Sequence, residues 1–152
     1  MTLPVIKDSV WKLQSAVLQM PQSEITTNHF WSNGMYIREM IMPKGMLVIG
    51  KVHKQDHFIV LTQGSVQVSD EHGSRTIMQG DVVKAYKGTK RALLALEDSR
   101  WLNIHRAENT DLEQLEEELV EHDPTSAYLP GNIIKDEYKL GNGYPVAITF
   151  KD

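Results

Sequence analysis

The chain has 152 residues, a net charge of -4 and no cysteine. That length fits one domain with a real core, and the acidic balance argues against broad nucleic-acid binding, which needs a basic surface. Without cysteine, disulfides and thiolate metal sites are excluded, and no apolar run nears the ~18 residues that span a bilayer.

The first twelve residues carry an early acid and no apolar signal core, so a cytoplasmic protein is expected. Residues 9–20 read as a short helix. Ser9 can cap it, Val10, Leu13, Val17 and Met20 share one face, and Pro21 stops it. Residues 22–34 are polar and turn-rich, ending in the turn signal Ser32-Asn33-Gly34.

From Met35 the period changes to two. Strands are expected over Met35–Met42, Met46–His53 and His57–Thr62, then around Val66 and Val68. Further strands follow at Arg75–Met78, Val82–Tyr86, Arg91–Leu96 and Arg100–Arg106. Gly and Asp turns separate them at regular spacing. That rhythm implies an antiparallel barrel or sandwich, because no connection is long enough for a parallel crossover.

Residues 111–121 form a second helix, with Thr110 and Glu113 as a capping box. Leu112, Leu115 and Leu119 make its buried stripe, and Glu113, Glu116, Glu117, Glu118 and Glu121 its solvated acidic face. Beyond residue 122 the chain is broken by Pro and Gly, yet Val146, Ile148 and Phe150 alternate like a strand. This arm is too apolar for a disordered tail. It packs on the barrel or on a second subunit, strand addition being one route.

The barrel region resembles the cupins, small jelly rolls built as a double-stranded β-helix. Gly45, His53, His57 and Gly64 fit the frame of the first cupin motif. His57 stands in the usual glutamate position, seven residues before Gly64, and Lys51 stands where the first histidine belongs. Gly80 and Gly88 fit the second motif. There Tyr86 replaces the proline, Arg91 the histidine and Ala95 the asparagine. The run from Pro43 to Glu118, with Gly50-Lys51-Val52-His53, Trp101, His105 and Thr110-Asp111-Leu112, is similar to cupin-like proteins of bacteriophages and prophages. The resemblance implies an all-β core: a jelly-roll barrel over 35–107, a lead-in over 1–34, a helix over 108–122 and an arm over 123–152, all in one globular domain. If the chain is viral, its location is the host cytoplasm.

Alternation predicts the barrel interior. If His53 and His57 point inward, Lys51 and Gln55 do so too. Taking Glu97-Asp98-Ser99 as a hairpin turn sets Leu93 opposite Asn103, Ala95 opposite Trp101 and Arg91 opposite His105. His53, His57 and His105 are thus candidate ligands for one divalent metal, zinc, nickel, iron or manganese. Lys51, Gln55, Arg91, Trp101 and Asn103 are candidate ligand-binding residues. Two fixed cations repel a metal but suit an anion, unless Arg91 is merely paired with Glu39 or another acid. His29 and His72 lie in predicted turns. Three functions are open: a binder of a small anionic molecule, with or without metal; a metal-dependent isomerase or oxygenase; or an assembly protein using the arm. Phe58 and Val60 are apolar on the outward strand face, which favours a homodimer.

Overall fold

The computed structural model describes residues 7–124, 126–136 and 147–149. In chain order the elements are α1 (Lys7–Val17), β1 (Thr26–Ser32), β2 (Met35–Met42), β3 (Met46–Ile49), β4 (His57–Gln63), β5 (Ser65–Asp70) and β6 (Gly73–Met78). Then come β7 (Val82–Ala85), β8 (Ala92–Ala95), β9 (Ser99–Arg106), α2 (Leu112–Leu119), β10 (Tyr128–Leu129), β11 (Ile133–Ile134) and β12 (Ala147–Thr149). No helix among these residues is long and apolar enough to cross a membrane.

Two five-stranded antiparallel sheets face each other. One runs β1-β2-β9-β4-β7 and the other β12-β3-β8-β5-β6; β10 and β11 pair alone. From β3 to β9 the chain passes back and forth between the sheets, which is a jelly roll. The inner faces meet over Met40, Met42, Leu47, Ile59, Leu61, Val66, Ile77 and Trp101, all buried. Period-two alternation puts them there. In β9, Trp101, Asn103 and His105 are buried while Arg100 and Arg106 are exposed.

Several expectations need correction. The polar stretch 22–34 contains β1, which pairs along its length with β2. Its turn is as expected: Asn33 and Gly34 have φ of 36° and 78°, the two-residue hairpin geometry that matches strand twist. The strand from Met46 stops at Ile49, so Lys51 and His53 lie in a loop. Helix α1 begins before Ser9, which sits inside it, and Met20 lies beyond its end and is exposed.

The expected hairpin between β8 and β9 is absent. β8 pairs with β3 and β5, and β9 with β2 and β4. Glu97-Asp98-Ser99 is a corner between sheets. Its backbone is gripped from both sides: Leu96 N–H donates to Ser65 O at 2.9 Å, and Asp98 accepts from Lys44 N–H at 2.9 Å. Gly64 presses on this corner so closely that a Cβ there would lie 2.4 Å from Asp98 O.

The cap of α2 is Asp111, whose carboxylate accepts from the N–H groups of Glu113 and Gln114, in place of the expected Thr110 box. The arm returns to its own barrel. Ala147–Thr149 pair with Met46–Val48 as an edge strand, while Val146 and Phe150 lie outside the described residues. Tyr128 anchors the nearer part of the arm by donating its hydroxyl to Ser23 O.

Candidate functional site

Three elements bring three histidines together. His57 opens β4 and points inward with Ile59 and Leu61. His105 points inward from β9. The β4–β9 register pairs Phe58 with Ile104 and Ile59 with Asn103, which sets His57 beside His105. His53 comes from the β3–β4 loop. That loop is held by a backbone bridge to Val120 and by Gly88 N–H donating to His53 O at 2.9 Å. Ring centroids are 4.3 Å apart for His53 and His57, 4.2 Å for His57 and His105, and 5.0 Å for His53 and His105. One ring nitrogen from each lies within 4.8 Å of the others.

Burial lowers the pKa of all three, and neighbouring imidazolium and guanidinium charge lowers those of His53 and His105 further. His105 falls to about 3. The rings are therefore neutral at pH 7 and offer lone pairs. Trp101 donates its indole N–H to Asn103 Oδ1 at 3.3 Å, so that oxygen accepts. His57 Nε2 can donate to it at 3.1 Å, while Nδ1 lies 3.4 Å from the Gln55 carbonyl oxygen, which also accepts.

A cavity of about 70 Å³ adjoins the cluster between the sheets. His53, Lys51, Arg91, Trp101 and Asn103 line it, with Tyr128 of the arm. One water needs only ~10–15 Å³ of such space, so the cavity has room for an ion together with a small polar ligand.

No family model or curated protein matches the sequence. Solved structures do match in shape. KdgF from Halomonas sp. superposes with a TM-score of 0.50 at 20% identity, over 58% of this chain and 83% of that one. A cupin-2 domain protein from Shewanella frigidimarina gives 0.47 at 16% identity, over 53% and 79%. An RmlC-like cupin protein from Desulfovibrio desulfuricans gives 0.46 at 14% identity, over 56% and 85%. The fold is the cupin jelly roll.

Within that cupin barrel, Gln55 stands apart from the other candidate residues. It is absent from the cavity wall, and only its backbone carbonyl approaches His57, at 3.4 Å from Nδ1. The parity argument fails there because residues 50–56 are loop.

The charge balance also differs from expectation. Glu116, assigned above to the solvated face of α2, is buried. Its carboxylate lies 2.7 Å from Arg38 and 3.6 Å from Lys51, and it accepts from Gly131 N–H at 3.2 Å. Burial pushes its pKa up, but Arg38, Lys51 and that N–H outweigh burial and hold it below the usual range. Lys51 thus shares one carboxylate with Arg38. Arg38 in turn donates to the Tyr36 hydroxyl, which meets His29 Nδ1 at 2.6 Å. His29 belongs to β1 and this network, while His72 is exposed as expected.

Two signals in the sequence pointed to these residues. Arg38 shares its face of β2 with Tyr36 and Met40, and Glu116 falls four residues after Leu112 and three before Leu119, on the buried stripe.

Arg91 is not paired with Glu39, which instead faces Arg100 at 3.6 Å and Asn28 at 2.9 Å. Among the described residues no carboxylate comes within ion-pair distance of Arg91. Its side chain donates to Tyr86 O at 3.2 Å.

The donor set fits a metal. Nδ1 of His53 and Nδ1 of His105 are buried without a hydrogen-bond partner among the described residues. An unsatisfied buried polar atom costs ~1–3 kcal/mol, which a bound cation would recover. Three neutral imidazoles are borderline donors suited to zinc, nickel or iron.

Proposed function

We propose that this cupin-fold chain is a small-molecule binding protein in which His53, His57 and His105 hold one divalent transition metal. The observation that carries this reading is the histidine cluster itself, with two orphaned buried nitrogens. A bound metal would supply a Lewis acid for a ligand oxygen. The chain's residues do the rest. Asn103 orients the His57 ring through Nε2, and Trp101 fixes Asn103. Glu116 offsets one of the two positive charges of Arg38 and Lys51, which lessens their opposition to a metal. Arg91 keeps guanidinium donors available for an anionic ligand beside the histidines.

Metal titration of chelator-stripped protein tests this. About one zinc or nickel ion per chain should bind, and His105→Gln should remove it while the chain stays folded. Wild-type protein that takes up no transition metal would sink the reading.

We further propose that two copies pair through the outer face of the β1-β2-β9-β4-β7 sheet. Phe30, Ile37, Ile104 and Phe58 stand in one row across four strands there. Charges of both signs rim the row: Glu39 with Arg100, and Asp56 with Lys84. That arrangement can complement itself about a two-fold axis.

A further inference from the structure

A second cavity, of about 290 Å³, opens between the sheets at their β6 and β7 edges. Its volume is near the lower end of small-molecule sites, roughly 300–1,000 Å³. Cross-strand pairing explains its lining. Val68 pairs with Arg75 and Val66 with the buried Ile77, so these side chains share the inner face of the β5–β6 hairpin. Opposite them, β7 and the loop after it supply Ala85, Tyr86 and Thr89. The result is an apolar wall of Ile59, Val68, Ile77 and Ala85 under a polar rim.

The rim is strongly basic. Arg75, Lys84 and Arg91 line it against one acid, Asp70. Asp70 already accepts from His72 N–H at 2.7 Å, and Lys84 lies 3.8 Å from Asp56. Neither Arg75 nor Arg91 has a carboxylate within ion-pair distance among the described residues. The single Arg91 side-chain bond to Tyr86 O leaves most of its donors unused. An inward charge also guards an edge strand against pairing, but that role needs no second guanidinium on the same cavity. Two forked donors facing one space, with apolar surface beside them, match an oxyanion carried on an apolar body.

We infer that this cavity binds a small amphipathic oxyanion, a carboxylate or phosphate ester, with its charged group between Arg75 and Arg91 and its apolar part on Val68, Ile77 and Ala85. The site shares Arg91 with the histidine cavity but needs no metal, so either reading can fail alone.

The test is titration of the full chain with phenyl phosphate, benzoate and inorganic phosphate, followed by amide NMR shifts and calorimetry, with zinc uptake measured in parallel. Saturable binding of phenyl phosphate or benzoate, with shifts at Val68, Arg75 and Ala85, is expected. The tighter of the two identifies the head group. Arg75→Gln, an exposed substitution, should weaken that binding about tenfold or more with melting temperature and zinc uptake unchanged. Arg75→Lys keeps the charge but not the fork, and should fall between. No saturable binding, or binding that Arg75→Gln leaves intact, overturns the site. Inorganic phosphate binding as tightly as phenyl phosphate overturns the apolar part of it.

Discussion

Glu116 and Arg38 meet at 2.7 Å inside the protein, joining the helix after the barrel to the wall of the histidine cavity. Breaking the pair from one side leaves Arg38 buried and uncompensated, with Lys51 beside it. Glu116→Ala should therefore cost about 3–5 kcal/mol in urea unfolding. It should also weaken zinc binding, since two cations near the imidazoles would lose their counter-charge. Arg38→Met with Glu116→Leu removes both charges and should recover much of the lost stability.

Gly64 is a steric requirement of the corner it touches. Its φ is +84°, and an added Cβ would lie 2.3 Å from Ser99 Oγ. Gly64→Ala should therefore destabilise by several kcal/mol, on the order of the largest single-site effects. Gly80 has a similar φ of +92° but open space around it. Gly80→Ala should cost only about 1–2 kcal/mol of backbone strain. The two melting temperatures separate crowding from conformation.

Lys90 is almost fully buried, 3.6 Å from Asp123 and 4.1 Å from the Trp11 ring centroid. Burial lowers its pKa from 10.5 to about 8, with Asp123 opposing that shift. The unfolded chain therefore binds more protons between pH 8 and 10.5, and stability rises with pH through that window. The slope approaches ~1.4 kcal/mol per pH unit. Urea unfolding between pH 7.5 and 9.5 should show the rise in wild type and not in Lys90→Met.

Asp111 satisfies two backbone donors at the start of α2. Asp111→Ala should lower stability by about 1 kcal/mol, whereas Thr110→Ala should change little. Thermal melts of the two variants decide between the observed cap and a capping box.

Phe58 is half exposed at the end of the apolar row on the outer sheet face. Phe58→Lys should convert a dimer to a monomer in light scattering without loss of melting temperature. A wild-type chain that is already monomeric would dismiss the pairing.

The barrel was legible from Met35 onward because β2, β4 and β9 alternate cleanly between core and surface. β1 was not, because it is an edge strand whose outer positions are exposed and whose residues are mostly polar. The β8–β9 connection misled for a geometric reason. A three-residue turn reads alike whether the chain stays in one sheet or crosses to the other, and only the grip of Ser65, Lys44 and Gly64 on the corner distinguishes them. His105 was still placed inward, since the alternation of Trp101, Asn103 and His105 does not depend on the partner strand. Glu116 was missed because five acids hid one position that helical spacing puts on the buried side.

The place of Tyr128 on the wall of the histidine cavity has a consequence in time. The barrel strands leave the ribosome before residues 126–134 do. A nascent barrel can thus fold before this part of the cavity wall is in place, and the wall is completed when the later segment docks onto Ser23 and Glu116.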